Sequence, residues 1–224
     1  MNTRQLKDGL YAQVARIGAA LASPKRLELV ELLAQSEKSV DELARAAGID
    51  IKLASAHLRA LRGVQLVDAR RDGKRQVYRL SADDVSALWV GLRTLAAAHL
   101  AELQLALQRK LAASTPTTPE SAASLLAKLQ RGEVVLIDVR PHGEYRAAHL
   151  PGARSMPLDE LEARIRELPR ERDIVAYCRG PFCVMSDAAV SLLTRHGLHA
   201  RAHPDGVVEW RAAGLPLETL GDAA

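Results

Sequence analysis

The chain has 224 residues, long enough for two domains of ordinary size, and 48% of them are hydrophobic, which supports packed cores and excludes a disordered chain. No apolar run reaches the length of a membrane span, and the start, Met1 to Lys7, has no apolar signal core. The expected location is therefore the cytoplasm, with no membrane partner, where two cysteines stay reduced and point to reactivity rather than to a structural bridge. Residues 1–113 hold 18 Lys and Arg against 12 Asp and Glu, whereas residues 114–224 hold 13 against 15, so the basic excess lies in the first half and points it at a polyanion.

In chain order, residues 4–21 carry apolar positions at helical spacing without an internal proline. Ser23-Pro24 reads as an N-cap followed by proline at the first helical position, opening a helix with Leu27, Val30, Leu33 and Ala34 on one face. Ser39 with Glu42 forms a capping box for a short helix, Val40 to Ala47, which Gly48 ends. Asp50 caps a third helix to about Arg62, whose apolar face is Leu53, Ala54, Leu58 and Leu61. Two short helices joined by Ala-Gly-Ile-Asp make a helix-turn-helix. Asp72-Gly73 between two extended runs then signals a hairpin, with five basic residues and one acidic between Arg70 and Arg79. A hairpin so charged suits phosphate contact, and its place after the helix-turn-helix makes it a wing rather than a solvated edge cluster. Residues 83–111 read as one long apolar-rich helix that needs a partner.

This half resembles the winged-helix ArsR/SmtB regulators. The resemblance rests on Leu21-Ala-Ser-Pro-Lys-Arg-Leu27, Val40-Asp-Glu-Leu-Ala44, Ser55-Ala-His-Leu58 and the run from Gly73 to Leu80, in that order. It implies that the third helix enters the major groove of double-stranded DNA with Lys52, Ser55 and His57 as its polar candidates. Ile51 and Ala56 stand where base-reading groups are common, so phosphate contacts from Arg70, Arg71, Lys74 and Arg75 are expected to carry much of the affinity. His57 is equally readable as a buried, hydrogen-bonded histidine. The resemblance also implies a homodimer through the first helix and the 83–111 helix. The metal sites of that family are not expected here. The positions of the arsenic-binding thiolates hold Ser39, Asp41 and Ala44, and of the zinc site only His99-Leu-Ala-Glu102 is present, opposite Ser86 and Leu88. His99 and Glu102 then read as an exposed helical pair, and neither metal nor cofactor is expected.

Ala112-Ala-Ser-Thr-Pro-Thr-Thr-Pro119 is small, polar and proline-containing. Residues 1–113 are accordingly expected as a winged helix-turn-helix domain, mainly α with a β-hairpin, 114–118 as linker and 119–224 as an α/β domain. In the latter, Ile174 to Tyr177 reads as a buried strand, Gly180-Pro181 as a turn, and Val184, Ala188, Val190, Leu192 and Leu193 as the apolar positions of a helix. Cys178 thus sits on a strand-to-helix loop, facing backbone N–H groups and the positive end of a helix dipole, with Arg179 adding a cation next door. All three favour the nucleophilic thiolate.

The second half resembles the rhodanese family, from residue 119 to about 219. Leu136-Ile-Asp-Val-Arg140, Glu144-Tyr145, His149-Leu-Pro-Gly-Ala153, Asp205-Gly206, Glu209-Trp210 and Ala213-Gly-Leu-Pro216 carry the likeness, and Cys178 takes the place of the catalytic cysteine. This implies a central parallel sheet and sulfur transfer through a persulfide on Cys178, with Arg179, Gly180, Phe182 and Cys183 around it and a small sulfur donor or thiol acceptor as partner. Val184 and Met185 stand where related phosphatases and arsenate reductases close a longer loop with arginine, which disfavours phosphate and arsenate chemistry. Cys183 is either a small apolar filler or a thiol that attacks a persulfide or sulfenate on Cys178. Phe182 either lines an apolar mouth over the loop or packs beneath it. The whole chain reads as a DNA-binding regulator whose second domain senses or carries reactive sulfur. The alternatives are a sulfurtransferase with an accessory DNA-binding domain, and a regulator with a catalytically inert rhodanese module.

Overall fold

The computed structural model describes residues 2–113 and 120–220, without the side chains of 111–113. Contacts divide the chain into two compact units, one ending at Trp89 and the other beginning at Val90. The expected linker, 114–118, lies outside the described residues.

In the first unit, α1 (Thr3–Leu21) starts at Asn2, whose side chain and that of Gln5 form a capping box. Next comes α2 (Pro24–Gln35), with proline in its first turn; Ser23 holds the cap position, but its hydroxyl makes no cap bond. A two-residue strand, β1 (Lys38–Ser39), leads into α3 (Val40–Ala46), where the Ser39 hydroxyl accepts from the Glu42 amide and the Glu42 carboxylate accepts from the Ser39 amide at 2.7 Å. Asp50 accepts the Leu53 amide at 2.9 Å to start α4 (Ile51–Arg62). The wing is β2 (Val67–Asp72) and β3 (Arg75–Leu80), antiparallel, with Gly73 at φ +58° in the turn. β1 pairs with the other edge of β3, giving the order β1-β3-β2. Two residues are too few to show alternation, which is why β1 leaves no sequence signal.

Leu29, Val30, Leu33, Leu43, Ala54, Leu58 and Leu61 are buried together with Val67. Each leucine so enclosed is worth roughly 1.5–3 kcal/mol relative to exposure. Leu53 does not belong to this set: it is 40% exposed, because the buried stripe of α4 runs through 54, 58 and 61.

The long helix expected over 83–111 is two helices, α5 (Asp83–His99) and α6 (Ala101–Ala113). The break falls at Leu100, where the Gln104 side chain donates to the Ala98 carbonyl at 2.9 Å, supplying a side-chain partner beside the interruption. It also separates His99 from Glu102, so these two are exposed residues on successive helices rather than a pair on one. The division between the units falls within α5.

The second unit continues with α7 (Ala122–Gln130), β4 (Val134–Asp138), α8 (His142–Ala147), β5 (Arg154–Ser155), α9 (Leu161–Arg164), a 3-10 turn at Ile165–Glu167, β6 (Asp173–Tyr177), α10 (Met185–Arg195), β7 (Ala200–Ala202) and α11 (Val207–Ala212). Its sheet is parallel throughout, in the order β5-β4-β6-β7. Every residue of β4 is buried, as a parallel strand covered on both faces requires. Val135 and Ile137 join one core with Val190 and Leu193, while Val134 and Leu136 join the other with Leu125, Leu150 and Trp210. The expected helical face after the loop shifts in phase. Val184 is the exposed N-cap and Ala188 is exposed, while Ser186, Ala189, Val190 and Leu193 face inward, because the helix places a polar residue, Ser186, on its buried side.

Candidate functional site

Cys178 leaves the C-terminal end of β6, the central strand pair's open end, where α/β sheets place their sites. Its sulfur is 2% exposed and lies 3.2 Å from the Ser186 hydroxyl. A hydrogen bond from the Cys183 thiol, with others from the hydroxyl and amide of Ser186 and the amide of Gly180, lowers it to about 6 against a burial that pushes the other way. Cys183 moves up, first because its thiol donates a hydrogen bond to Cys178 and then because it is itself buried. The two shifts run in opposite directions and favour the charge on Cys178 and the proton on Cys183.

The loop between them is shaped by glycines. Gly180 takes φ +134°, and the Cys183 amide donates to its carbonyl at 3.0 Å. Gly206, before α11, lies so close beneath that a Cβ there would overlap the Cys178 carbonyl oxygen and sit 3.0 Å from the Arg179 carbonyl carbon. The Gly206 amide donates to the Glu209 carboxylate at 2.7 Å, and that same carboxylate fills the space a side chain on Gly180 would need.

Arg179 turns its guanidinium to the buried Glu144 carboxylate at 2.7 Å. Beneath lies a second enclosed pair, Asp138 and Arg140, both fully buried at 2.5 Å. Asp138 also accepts the Tyr177 hydroxyl at 2.6 Å, and Arg140 donates to the Ala148 carbonyl at 2.8 Å. Tyr145 donates to the Ala153 carbonyl at 2.8 Å and stacks on His149 with ring centroids 3.8 Å apart. Most of the motif residues of this half thus build the platform under the loop. Buried pairs of this kind hold only because every charge has its partner.

Three residues that sequence reasoning did not single out flank the loop. Arg93, on α5 and 5% exposed, donates to Glu209 at 2.6 Å, and its guanidinium lies 5.6 Å from the centroid of the half-buried Phe182 ring. His203, just beyond β7, is 2% exposed, and neither ring nitrogen has a hydrogen-bond partner among the described residues. Burial, with the Arg201 cation near it, pulls its imidazolium down to about 4, so the ring is neutral at physiological pH. Lys110, on α6, pairs with Asp187 at 2.9 Å. No local pattern announces such contacts; Arg93 and Glu209 are 116 positions apart.

In the first unit, Lys52 is exposed on α4, and Ser55 and His57 are half-buried beside it. Arg59, exposed and two turns beyond Lys52, shares its face, a basic residue the motif reading passed over. On the wing, Arg71, Lys74 and Arg75 are exposed, without an ion-pair partner among the described residues. Arg70 differs: its Nε donates to Glu37 at 3.2 Å, and this bond, together with the arginine's charge, lowers the Glu37 carboxyl. Among the described residues no helix is long and apolar enough to cross a membrane.

Comparison with known proteins assigns both halves. The model of the rhodanese-like domain matches residues 121–213, and that of the bacterial regulatory proteins of the arsR family matches residues 23–69. The HTH-type transcriptional regulator Rv0324 of Mycobacterium tuberculosis is 46% identical over 215 residues, covering 95% of this chain and 93% of its own length. A sulfurtransferase of Allochromatium vinosum is 31% identical over 102 residues, 44% of this chain and 89% of that protein. Of solved structures, the homodimeric winged helix-turn-helix DNA-binding domain of Mb0332 from Mycobacterium bovis is 43% identical, covers 46% of this chain and 93% of its own, and superposes with a TM-score of 0.42.

Proposed function

Since the chain belongs to the arsR-type winged helix-turn-helix regulators that carry a C-terminal rhodanese-like domain, we propose that it is a DNA-binding transcriptional regulator that receives reactive sulfur as a persulfide on Cys178. The observation that carries this reading is the setting of Cys178: an enclosed sulfur 3.2 Å from the Ser186 hydroxyl at the end of a parallel strand, where hydrogen-bond donors lower its thiol. A thiolate is the form that takes up sulfane sulfur, and donors aimed at Sγ suit the anionic terminal sulfur that results. Arg179, Gly180, Phe182 and Cys183 form the loop around that sulfur.

On the DNA side, Lys52, Ser55 and His57 of α4 are the groove candidates, and Arg70, Arg71, Lys74 and Arg75 of the wing the phosphate contacts. A homodimer through α1 and the α5–α6 segment is supported by apolar side chains left exposed on both: Leu6, Leu10 and Val14 at four-residue intervals on α1, and Leu88, Leu92 and Leu95 on α5. Sulfur loading has a path toward that segment. Phe182 belongs to the loop and Glu209 braces it, and both meet Arg93 of α5. Loading shifts DNA affinity to the extent that DNA-bound and DNA-free forms of the protein take up sulfur with different affinity.

The test is DNA affinity at one salt concentration, with and without a persulfide donor, for wild type and Cys178→Ser. A shift confined to wild type is the expected result; intact DNA binding that ignores the donor in both would refute the coupling. The second reading, a sulfurtransferase with an accessory DNA-binding domain, draws on the likeness of residues in this half to the Allochromatium sulfurtransferase. Rapid multiple turnover to a thiol, lost in Cys178→Ser, would mark that outcome.

A further inference from the structure

The donors that favour the charge on Cys178 are the Cys183 thiol, the Ser186 hydroxyl and amide, and the Gly180 amide. Each of these three residues stands next to one that is held from α5 or α6. The Glu209 carboxylate lies against Gly180, both its oxygens 2.9 Å from where a Cβ would be. One of those oxygens accepts the Gly206 amide at 2.7 Å, and the other accepts from Arg93 of α5 at 2.6 Å. The Arg93 guanidinium also lies 5.6 Å from the ring centroid of Phe182, the chain neighbour of Cys183. On the other flank, Lys110 of α6 pairs at 2.9 Å with Asp187, the chain neighbour of Ser186. Neither tie is a loose surface contact: Arg93 and Glu209 are 5% and 11% exposed, Lys110 and Asp187 23% and 18%. Pairs this enclosed hold geometry, because opening one strands a desolvated charge. Both cations precede the rhodanese-like match at 121–213, and both carboxylates lie inside it. The cysteine loop is thus braced by helices that the rhodanese-like domain does not itself supply.

We propose that Arg93 and Lys110 are positioning residues for Cys178, a two-point clamp through which the α5–α6 segment sets the reactivity of its sulfur. The inference rests on the persulfide reading above. Arg93 acts through Glu209: with the guanidinium in place the carboxylate is fixed between Gly206 and Gly180, and the Gly180 amide keeps its aim at the sulfur. Lys110 acts through Asp187, holding the first turn of α10 so that the Ser186 hydroxyl stays 3.2 Å from Sγ. Neither cation is among the groups that chiefly lower Cys178, so both work by geometry rather than by their own field. The α5 helix also carries the exposed Leu88, Leu92 and Leu95, and a rearrangement of that helix reaches the loop through Arg93.

The experiment uses the full chain and follows alkylation of Cys178 by iodoacetamide across pH, with the modified residue identified by peptide mass. Arg93→Met removes the charge and keeps a long side chain against Phe182. Its profile is expected to move toward the free-thiol range near about 8.5, and its rate at about pH 6.5 to fall at least about threefold, the scale of one weakened hydrogen bond. At alkaline pH, where every thiol is ionised, the rate is expected to be undiminished. Arg93→Lys should restore most of the wild-type profile. Glu209→Gln keeps an acceptor for the Gly206 amide but loses the ion pair, so it should shift the profile by a similar amount, and the double variant with Arg93→Met no further than either alone. Lys110→Met, on the separate tie, should shift it in the same direction and add to Arg93→Met. Far-UV circular dichroism and thermal unfolding establish that each variant is folded; if Arg93→Met is not, Arg93→Lys and Lys110→Met carry the test. A folded variant lacking either cation that keeps the wild-type profile overturns the clamp, as does a rate lowered equally at every pH. Uptake of a sulfur atom from inorganic polysulfide by wild type, read by intact mass, judges the persulfide reading separately: its absence refutes that reading, while the alkylation profiles still decide the clamp.

Discussion

At the tip of the wing, Gly73 stands at φ +58° with nothing within 4 Å of where a side chain would begin; beneath the cysteine loop, Gly206 has a backbone carbonyl where its side chain would go. The arginines of the two regions contrast in the same way. Arg71 and Arg75 face solvent, whereas Arg93, Arg140 and Arg179 are each closed onto a carboxylate. The wing keeps its charge available for a partner and needs little from the rest of the fold. The loop keeps its charges internally matched and leaves one anion, on Cys178, without a cation among the groups that stabilise it. A surface that binds by electrostatics and a pocket that holds a reactive sulfur therefore tolerate substitution very differently.

The widest gap should appear between the two glycines. Gly206→Ala forces either the Cys178–Arg179 backbone or the start of α11 to move, and a cost of about 3 kcal/mol is expected, together with loss of fast Cys178 alkylation. Gly73→Ala meets no atoms and bears only the left-handed backbone penalty, about 1 kcal/mol. Denaturant unfolding of the two variants measures both; similar costs would break the contrast.

A smaller effect concerns the thiolate itself. Alkylation of Cys178 should rise with pH through about 6 and be level by neutrality, since the folded value lies below that of a free thiol. Ser186→Ala removes a group that favours the charged form, so its profile should move toward higher pH. Cys183→Ser keeps a donor beside Cys178 and should shift the profile less than Cys183→Ala. A profile that stays that of an exposed cysteine would remove the basis for persulfide uptake.

This asymmetry also explains what could be read from residue order. The Asp50 cap, the Asp72-Gly73 turn and the Ser39–Glu42 box are local, and each appears in the structure where its residues stand, whereas Ser23 holds its cap position without the cap bond. The motif set of the second half was legible because Asp138, Arg140, Glu144 and Tyr145 must supply particular side chains to a buried network. The partnership of Arg93, Glu209 and Phe182 was not, since it joins distant positions and none of the three has a periodic signature. His203 escaped for a related reason: a lone histidine after a short strand says nothing about burial. The phase error on α10 arose because Ser186 faces inward toward Cys178, a functional residue breaking the apolar pattern.

The finest distinction lies within the wing, between two adjacent arginines. Arg71 is exposed without an ion-pair partner among the described residues, so Arg71→Ala should lower the slope of log affinity against log salt by about 1, the signature of one lost phosphate contact. Arg70 is already held by Glu37, and DNA must compete with that carboxylate for it. Arg70→Ala should therefore change the slope by less than Arg71→Ala, while Glu37→Gln, which frees Arg70, should tighten binding at low salt. Equal slopes for the two arginine variants would mean that the Glu37 pair opens on DNA at no cost, as exposed pairs worth about 0–1 kcal/mol can. An unchanged affinity in Glu37→Gln together with an unchanged slope in Arg70→Ala would instead place Arg70 outside the phosphate contacts altogether, since a contacting arginine that is removed must take its released counterion with it.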